Sequence, residues 1–405
     1  MKIVAKEEQE WKSEVDVKVE MIKALIPIGL KAVEEMLENE VEQLAGARYE
    51  HGKINTRWGR QNGSIYLRDQ KIGIKVPRVQ NKGSKEEIPL ETYRKMRTPY
   101  LDDEQTVKKL LYGISMRNYK ESVELAPKVF GLSPSNMSRR FKKPTEKRLK
   151  DLQERDLSGY DFVAMFIDGK AFHDQGIMVA LGVTIKGQKI PLGIEQMSSE
   201  NSLPIGNFFE RLKARGLRYE EGLLFVVDGA KGITKAIKDH FKGFGIVQRC
   251  RWHKIENVLS YLAKKEHGYW RKRLLCAYKE ETFEAAEQEL KKIVSEIRKI
   301  NPSAAASLEE GLEETLTIQK MKLPKELVKS FGTTNCIESV LSQVGQYTDR
   351  VDYWKSGNQI QRWTATALLE VERRLRKVNG CRHLTALRES LKIALNTARK
   401  EAKAA

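Results

Sequence analysis

Two apolar runs in this chain meet the same interruption: FVAMFIDG sets Asp168 before Gly169, and LLFVVDG sets Asp228 before Gly229. A carboxylate at the end of an otherwise apolar strand is costly to bury unless something positive compensates it, and a metal ion is the simplest such partner. The glycine that follows lets the chain turn sharply and lets another backbone or a substrate come close. One such Asp-Gly is a common strand-ending turn. Two of them, on neighbouring strands of one sheet, point to a shared site.

The surrounding pattern supplies that sheet. DFVAMFIDGKAF, GIMVALGVTIKG and QKIPLGIEQMSSEN read as three successive strands of a meander, with turns at His173 to Gly176 and at Lys186 and Gly187. A helix over Asn207 to Arg215, the strand GLLFVVDGA, a helix from Lys231 to Phe241 and the short strand GIVQRC follow. This order predicts an α/β core with one mixed central sheet. After His253 the helical spacing of apolar residues runs to about Leu323, with Pro302 and Pro324 as punctuation, and resumes from Asn358. The last stretch, TARKEAKAA, is expected to fray.

A third carboxylate has to come from an element that folds back over the same sheet edge. Glu338 in FGTTNCIESVLSQVG fits. Thr333 or Thr334 can cap a helix on which Asn335, Glu338 and Ser342 share one face, while Ile337, Val340, Leu341 and Val344 face the core.

The first part of the chain has a different character. Apolar residues from Val15 to Leu44 recur at helical spacing and predict two helices, broken near Pro27 and Gly29. From Tyr49 to Val79 the pattern becomes β, with Ile72, Ile74 and Val76 on one strand face. Arg57, Trp58, Arg60 and Asn62 there mix cations, an aromatic and an amide in a way that suits a nucleic-acid backbone, and a solvated hairpin would read the same. Three helical segments are expected between Asp102 and Lys150. The last begins after Gly131, with Ser133 as N-cap and Pro134 in the first turn. A short turn before a basic helix is what a helix-turn-helix needs, which makes Asn136, Arg139, Arg140, Lys142 and Lys143 candidates for DNA contact; an ordinary amphipathic surface helix is the alternative.

Composition agrees with a polyanionic partner. Among 405 residues, 73 Lys and Arg against 55 Asp and Glu leave a formal charge of +18, enough for many phosphate contacts. Four scattered cysteines do not form a disulfide framework and predict free thiols in a reducing cytoplasm. No apolar run reaches a membrane span of roughly 18 to 20 residues, and the opening MKIVAKEEQEWKSEVDVK has no signal-peptide stretch. A cytoplasmic, nucleoid-associated protein is expected.

The motifs IDGKAF, VVDGAKG, QRCRWHKIENV and TTNCIESV, in this order, together with RWGRQNG and KVPRV, resemble the Mutator-type family of bacterial insertion-sequence transposases over nearly the whole chain. The resemblance implies a ribonuclease H-like core whose Asp, Asp, Glu triad falls on Asp168, Asp228 and Glu338. It implies end binding, cleavage and strand transfer on double-stranded DNA, at element ends and target, by a homo-oligomer on DNA. Three carboxylates suit Mg2+, with Mn2+ as substitute, and two ions per site can serve both the attacking and the leaving oxygen. The implied organisation is N-terminal helices and a basic β segment over 1–99, a helix-turn-helix-like region over 100–156, the core over 157–265 and 326–357, a helical insertion over 266–325, and C-terminal helices over 358–405. The family's Cys-x-x-His pair falls on Cys250 and His253. By residue type these are half a zinc site, but no second pair at metal spacing lies nearby, and packing or hydrogen bonding beside the site is expected instead. Lys170 and Lys231, close after the two aspartates, are candidates for a DNA phosphate or for plain solvent exposure. The competing readings are a ribonuclease H-like nuclease that cuts without joining and a catalytically silent DNA-binding regulator.

Overall fold

A computed structural model describes residues 27–50, 54–67, 70–98, 104–113, 129–130, 134–172, 175–197, 202–351 and 353–404. The chain forms two compact units, Met1–Pro144 and Thr145–Ala405.

In the first unit, a helix over 27–45 (α1) places Val33, Leu37, Val41 and Ala45 on one stripe, four residues apart. That stripe packs on a hairpin, β1 (Asn55–Leu67) and β2 (Gln70–Asn81), through Ile65, Ile74, Val76 and Val79. Pro27 is the first described residue and Gly29 lies in the helix two residues on, while the expected first helix, before Pro27, lies outside the described residues. Ile72, Ile74 and Val76 are all buried, as their alternation predicts. A two-residue strand β3 (Glu87–Ile88) extends the sheet before α2 (Glu91–Arg97). No side chain of its own caps α2; the Glu40 carboxylate of α1 accepts from the N–H groups of Glu91 at 2.6 Å and Thr92 at 3.0 Å instead. Then come α3 (Glu104–Leu111) and β4 (Val129–Phe130), which pairs with β2. Ser133 and Gly131 lie outside the described residues, as does most of the expected middle helix; α4 (Pro134–Gln153) begins at the expected proline.

The second unit is built on a mixed five-stranded sheet. Its strands are β5 (Phe162–Phe172), β6 (Gln175–Thr184), β7 (Lys189–Met197), β8 (Leu223–Val227) and β9 (Gly245–Arg249), in the order β7-β6-β5-β8-β9. The first three form the expected antiparallel meander, whereas β8 and β9 run parallel to β5. Side-chain alternation divides β5 between two cores. Met165 and Ile167, with Phe225 and Val227 of β8, pack beneath α5 (Ser202–Ala214) and α6 (Lys231–Phe241) through Phe209, Leu212, Ile237 and Phe241. Phe166 points to the other face and stacks at 5.5 Å on Phe331 of α13 (Lys325–Phe331). Each buried phenylalanine contributes roughly 1.5 to 3 kcal/mol.

Between β9 and α13 lies a helical body with a core of its own: α7 (Arg251–Ser260), α8 (His267–Ala277), α9 (Phe283–Arg298), α10 (Pro302–Glu309), α11 (Leu312–Thr315) and α12 (Thr317–Lys320). Buried polar groups fasten it to the sheet. Arg251 donates to the Thr315 carbonyl at 3.0 Å and to Gln319 Oε1 at 2.8 Å, and Gln248 donates to the Thr315 carbonyl and accepts from Ile318 N–H. Lys254, fully buried, donates to the carbonyls of Ser307 and Glu310 at 2.6 Å each, placing a cation at the C-terminal end of α10 where the helix dipole favours it.

After α13 the chain continues through α14 (Asn335–Thr348), α15 (Gly357–Glu372) and α16 (Leu384–Ala404). A bidentate pair joins Arg155 to Glu372 at 2.6 and 2.7 Å, and Arg388 of α16 donates to the carbonyls of Phe162 and Gly222. The expected frayed tail is helical as far as Ala404. No helix among the described residues is long and apolar enough to cross a membrane, and all four cysteines are free thiols.

Candidate active site

The parallel pairing of β5 with β8 ends at Ile167 opposite Val227. Asp168 and Asp228 each come one residue later, so the pairing itself sets the two carboxylates side by side at the same sheet edge. Asp168 shares the strand face of Phe166, which is covered by α13 and α14, while Ile167 fills the opposite core. Glu338 comes to it from the first turn of α14, whose Ile337, Val340, Leu341 and Val344 are buried as predicted.

The two glycines behave differently. Gly229 has φ +103°, and a Cβ there would lie 2.0 Å from Arg249 Nε, so this turn requires glycine. Gly169 does not turn the chain, because pairing with β6 carries β5 on to Phe172; a Cβ there would meet nothing within 4 Å. What survives of the expectation at Gly169 is open space beside Asp168.

The electrostatics are those of a site short of positive charge. Burial pushes Asp168 up to about 6, and the charges of Asp228 and Glu338 push the same way, against the Gly169 N–H and His253. Asp168 Oδ1 accepts from the Gly169 N–H and Asp228 Oδ1 from the Ala230 N–H, both at 2.9 Å. Among the described residues none of the three carboxylates forms an ion pair with Lys or Arg, although such pairs are frequent elsewhere in the chain.

Cys250 and His253 do lie beside the site. Cys250 caps α7, is fully buried, and donates its N–H to the Val227 carbonyl at 2.7 Å, immediately before Asp228. Its sulfur accepts from the Thr334 N–H at 3.3 Å and contacts Thr334 Oγ1 at 3.2 Å. The Thr334 hydroxyl also contacts His253 Nδ1 at 3.3 Å and donates to Glu338 Oε1. Ligand atoms of Cys250, His253 and Glu338 consequently lie within 4.8 Å of one another, gathered around one hydroxyl. A hydrogen bond with Cys250 raises His253 to about 9, against the effect of burial, with Asp168 and Glu338 adding to the rise. Burial acts to raise the Cys250 thiol, but hydrogen bonds from His253 and Thr334 outweigh it and hold the thiol below its usual range.

The tertiary role of Thr334 is what sequence reasoning missed. The residue is the N-cap of α14, as one of the two expected threonines, yet its side chain makes no cap hydrogen bond because the hydroxyl is committed to Glu338, His253 and Cys250. Its one visible signal is a threonine four residues before the acidic residue, within helical reach.

The remaining candidates lie elsewhere or already have partners. Lys170 pairs with Asp349 at 3.0 Å, and Lys231 with Glu310 at 3.3 Å. Asn335 lines a separate cleft on α14. In the first unit, Arg57 bonds Glu38 at 2.8 Å and the Gly46 carbonyl, Arg60 bonds the same Glu38, and Arg78 stacks over Trp58 at 3.7 Å. On α4, Arg139, Lys142 and Lys143 are exposed, Asn136 and Arg140 are half-buried, and Met137 and Phe141 form the buried stripe.

The family model described as "Transposase, Mutator family" matches residues 2–374. This chain belongs to the Mutator family of transposases. Similar proteins include the transposase for insertion sequence element IS905 of Lactococcus lactis, 25% identical over 83% of this chain and 85% of that protein. The transposase for ISRM5 of Rhizobium meliloti is 24% identical over 92% and 95%, and that for IS256 in transposon Tn4001 of Staphylococcus aureus is 24% identical over 76% and 80%. Mutator-family membership makes the chain a DNA-processing protein, and its clustered carboxylates are the chemistry to be accounted for.

Proposed function

We propose that this chain is an insertion-sequence transposase that binds the terminal inverted repeats of its element and cleaves and joins DNA at a site formed by Asp168, Asp228 and Glu338. The observation that carries this reading is two aspartates at one sheet edge and Glu338 brought to them by α14, without a Lys or Arg partner among the described residues, and with Asp168 held up to about 6 by burial and by its acidic neighbours. The strand order supports a ribonuclease H-like core, since a three-stranded antiparallel meander continues into two parallel strands with the aspartates at the junction.

The donor set fits Mg2+: three carboxylates, open space beside Gly169, and, among the described residues, no Lys or Arg to neutralise them. When bound, Mg2+ or Mn2+, as one ion or two, would supply the positive charge that favours an ionised attacking oxygen and a departing one. Asp168 is oriented by the N–H of the next residue on its strand, Asp228 by an N–H of its turn, and Glu338 by the Thr334 hydroxyl, so little reorganisation precedes binding. In the first step a water oxygen bonds to phosphorus at the element end and the bond from phosphorus to the 3′ oxygen breaks, releasing a 3′-hydroxyl. In the second, that hydroxyl loses its proton, its oxygen bonds to a target phosphorus, and the target's own 3′ oxygen leaves. One site serves both steps because only the attacking oxygen changes.

The test is incubation of the protein with labelled element-end DNA and Mg2+, followed by mapping of nicks and joints. Nicks at the element end and joined products are expected, with chelator abolishing both and Ca2+ permitting binding alone, because its larger, looser shell spoils in-line geometry. Nicks without joints would give the nuclease reading, binding without nicks the regulator reading, and brisk cleavage in chelator would refute the metal chemistry.

A further inference from the structure

A second feature of α14 lies off the Glu338 face. Asn335, Ser339 and Gln343, four residues apart on one stripe, form one side of a cleft of about 530 Å³ that Glu338 does not line. Five cations share the rest of its lining with neutral polar and apolar residues: Lys329 at the end of α13, Lys189 at the start of β7, and Arg374, Arg376 and Lys377 on the loop after α15. Among the described residues, no carboxylate lines the cleft and none of these five cations forms an ion pair. The contrast with adjacent positions is sharp, since Lys325 pairs with Glu281, Arg373 with Glu370 and Arg382 with Glu326.

The loop that carries three of the cations is fastened in place. Val378 N–H donates to the Gly187 carbonyl at 3.0 Å, and Ser330 Oγ donates to the Asn379 carbonyl at 2.9 Å. Gly187 itself has φ +82°, and a Cβ there would lie 2.5 Å from Cys381 Cβ, so the turn meets the following segment with no room to spare. Arg374 is further held by the Tyr347 hydroxyl at 2.8 Å, a neutral partner that leaves its charge uncompensated. Five cations lining one cleft, three of them on a fixed loop, repel one another unless an anion lies between them, and amide and hydroxyl groups on the remaining wall suit phosphate oxygens.

We infer that this cleft holds the phosphodiester backbone of duplex DNA, on the helix that carries Glu338, by sequence-neutral phosphate contacts. The inference rests on the DNA-processing reading above and deepens it by naming a second DNA surface. Lysine and arginine contacts to phosphate oxygens read charge and spacing rather than bases.

The experiment compares the full-length wild type with the combined Lys329→Ala, Arg376→Ala, Lys377→Ala variant, titrating terminal-repeat and random duplexes over a range of salt. All three residues are exposed, and a conservative combination, Lys329→Arg, Arg376→Lys, Lys377→Arg, controls for shape. The alanine variant should bind both duplexes on the order of 10- to 100-fold more weakly at ~0.1 M salt, with a log-log salt slope shallower by about 2.7 units for three lost contacts. The conservative variant should keep wild-type affinity and slope. Unchanged affinity and slope in the alanine variant would overturn the inference. So would a loss confined to terminal-repeat DNA, or one shared equally by the conservative variant. The two readings fail separately: a wild type that binds DNA but does not cleave it with Mg2+ defeats the proposed chemistry, while its salt slope still reports on the cleft. A wild type that binds no DNA defeats both.

Discussion

Buried polarity is handled in opposite ways at two neighbouring places on the central sheet. Where β9 meets the helical body, Arg251, Lys254, Gln248 and Gln319 are buried and their hydrogen bonds end on carbonyls and amides of the chain itself. At the sheet edge beside it, Asp168, Asp228 and Glu338 have backbone N–H groups or one hydroxyl and no Lys or Arg partner among the described residues. The first arrangement spreads each charge over internal acceptors and belongs to stability. The second keeps three like charges close together beside His253, which is raised to about 9 and offsets them only in part, and a cation from outside would relieve the rest. Charge at the junction therefore fastens a domain, and charge at the edge waits for a ligand.

The largest expected effect breaks this contrast if it is wrong. Asp168→Asn, Asp228→Asn and Glu338→Gln should each lower cleavage by on the order of 10³-fold or more, with no loss of melting temperature in the metal-free protein. Cleavage of labelled end DNA and thermal melts of the same preparations check it. A variant with full activity removes its residue from the site, and a variant that melts early shows that the edge is as structural as the junction. Next in size is Arg251→Met, which leaves the Thr315 carbonyl and Gln319 without their donor in a buried place. It should lower stability by about 3 kcal/mol in denaturant titration, while protein that remains folded still cleaves.

How much of this was legible in the sequence follows from how local each signal is. The meander, the paired Asp-Gly strands and the buried stripe of α14 depend on periods of two and 3.6 residues, and these the structure reproduces at Ile337, Val340, Leu341 and Val344. The shared edge of Asp168 and Asp228 could be anticipated because β5 and β8 are both apolar, although the register that sets Ile167 opposite Val227 could not. Pairing between distant residues left no trace. Arg57 and Arg60 resemble a basic patch until Glu38 is found against both, and Lys170 and Lys231 resemble phosphate ligands until Asp349 and Glu310 are found. The reverse holds for Arg376 and Lys377, unremarkable in a chain of 73 cations until the fold collects them with no carboxylate in the same cleft. Thr334 was read as a cap, because helix-start statistics describe the common use of that hydroxyl and not the tertiary one.

The smallest effect is a pH dependence, and its sign tests whether the edge is strained in the way its geometry implies. Asp168 sits near 3.8 when unfolded and at about 6 when folded, raised first by burial. Between about pH 4 and 6 the folded protein therefore binds more protons than the unfolded chain, so the stability associated with this group falls as pH rises through the window and levels off above it. The change should be roughly 1 to 2 kcal/mol, below the full linkage value because solvent reaches part of the side chain. His253, raised to about 9, is protonated in both states across most of this window and contributes little to the slope there. Melting temperatures of metal-free wild type and Asp168→Asn from pH 4 to 7 should diverge, with the wild type losing relative stability toward neutral pH and the variant lacking that component. Excess Mg2+ should cancel the divergence in the wild type, since an ion that binds only the folded edge favours the ionised carboxylate. Parallel curves for the two proteins without metal would mean that Asp168 is already compensated in the free protein, and the contrast between junction and edge would be lost.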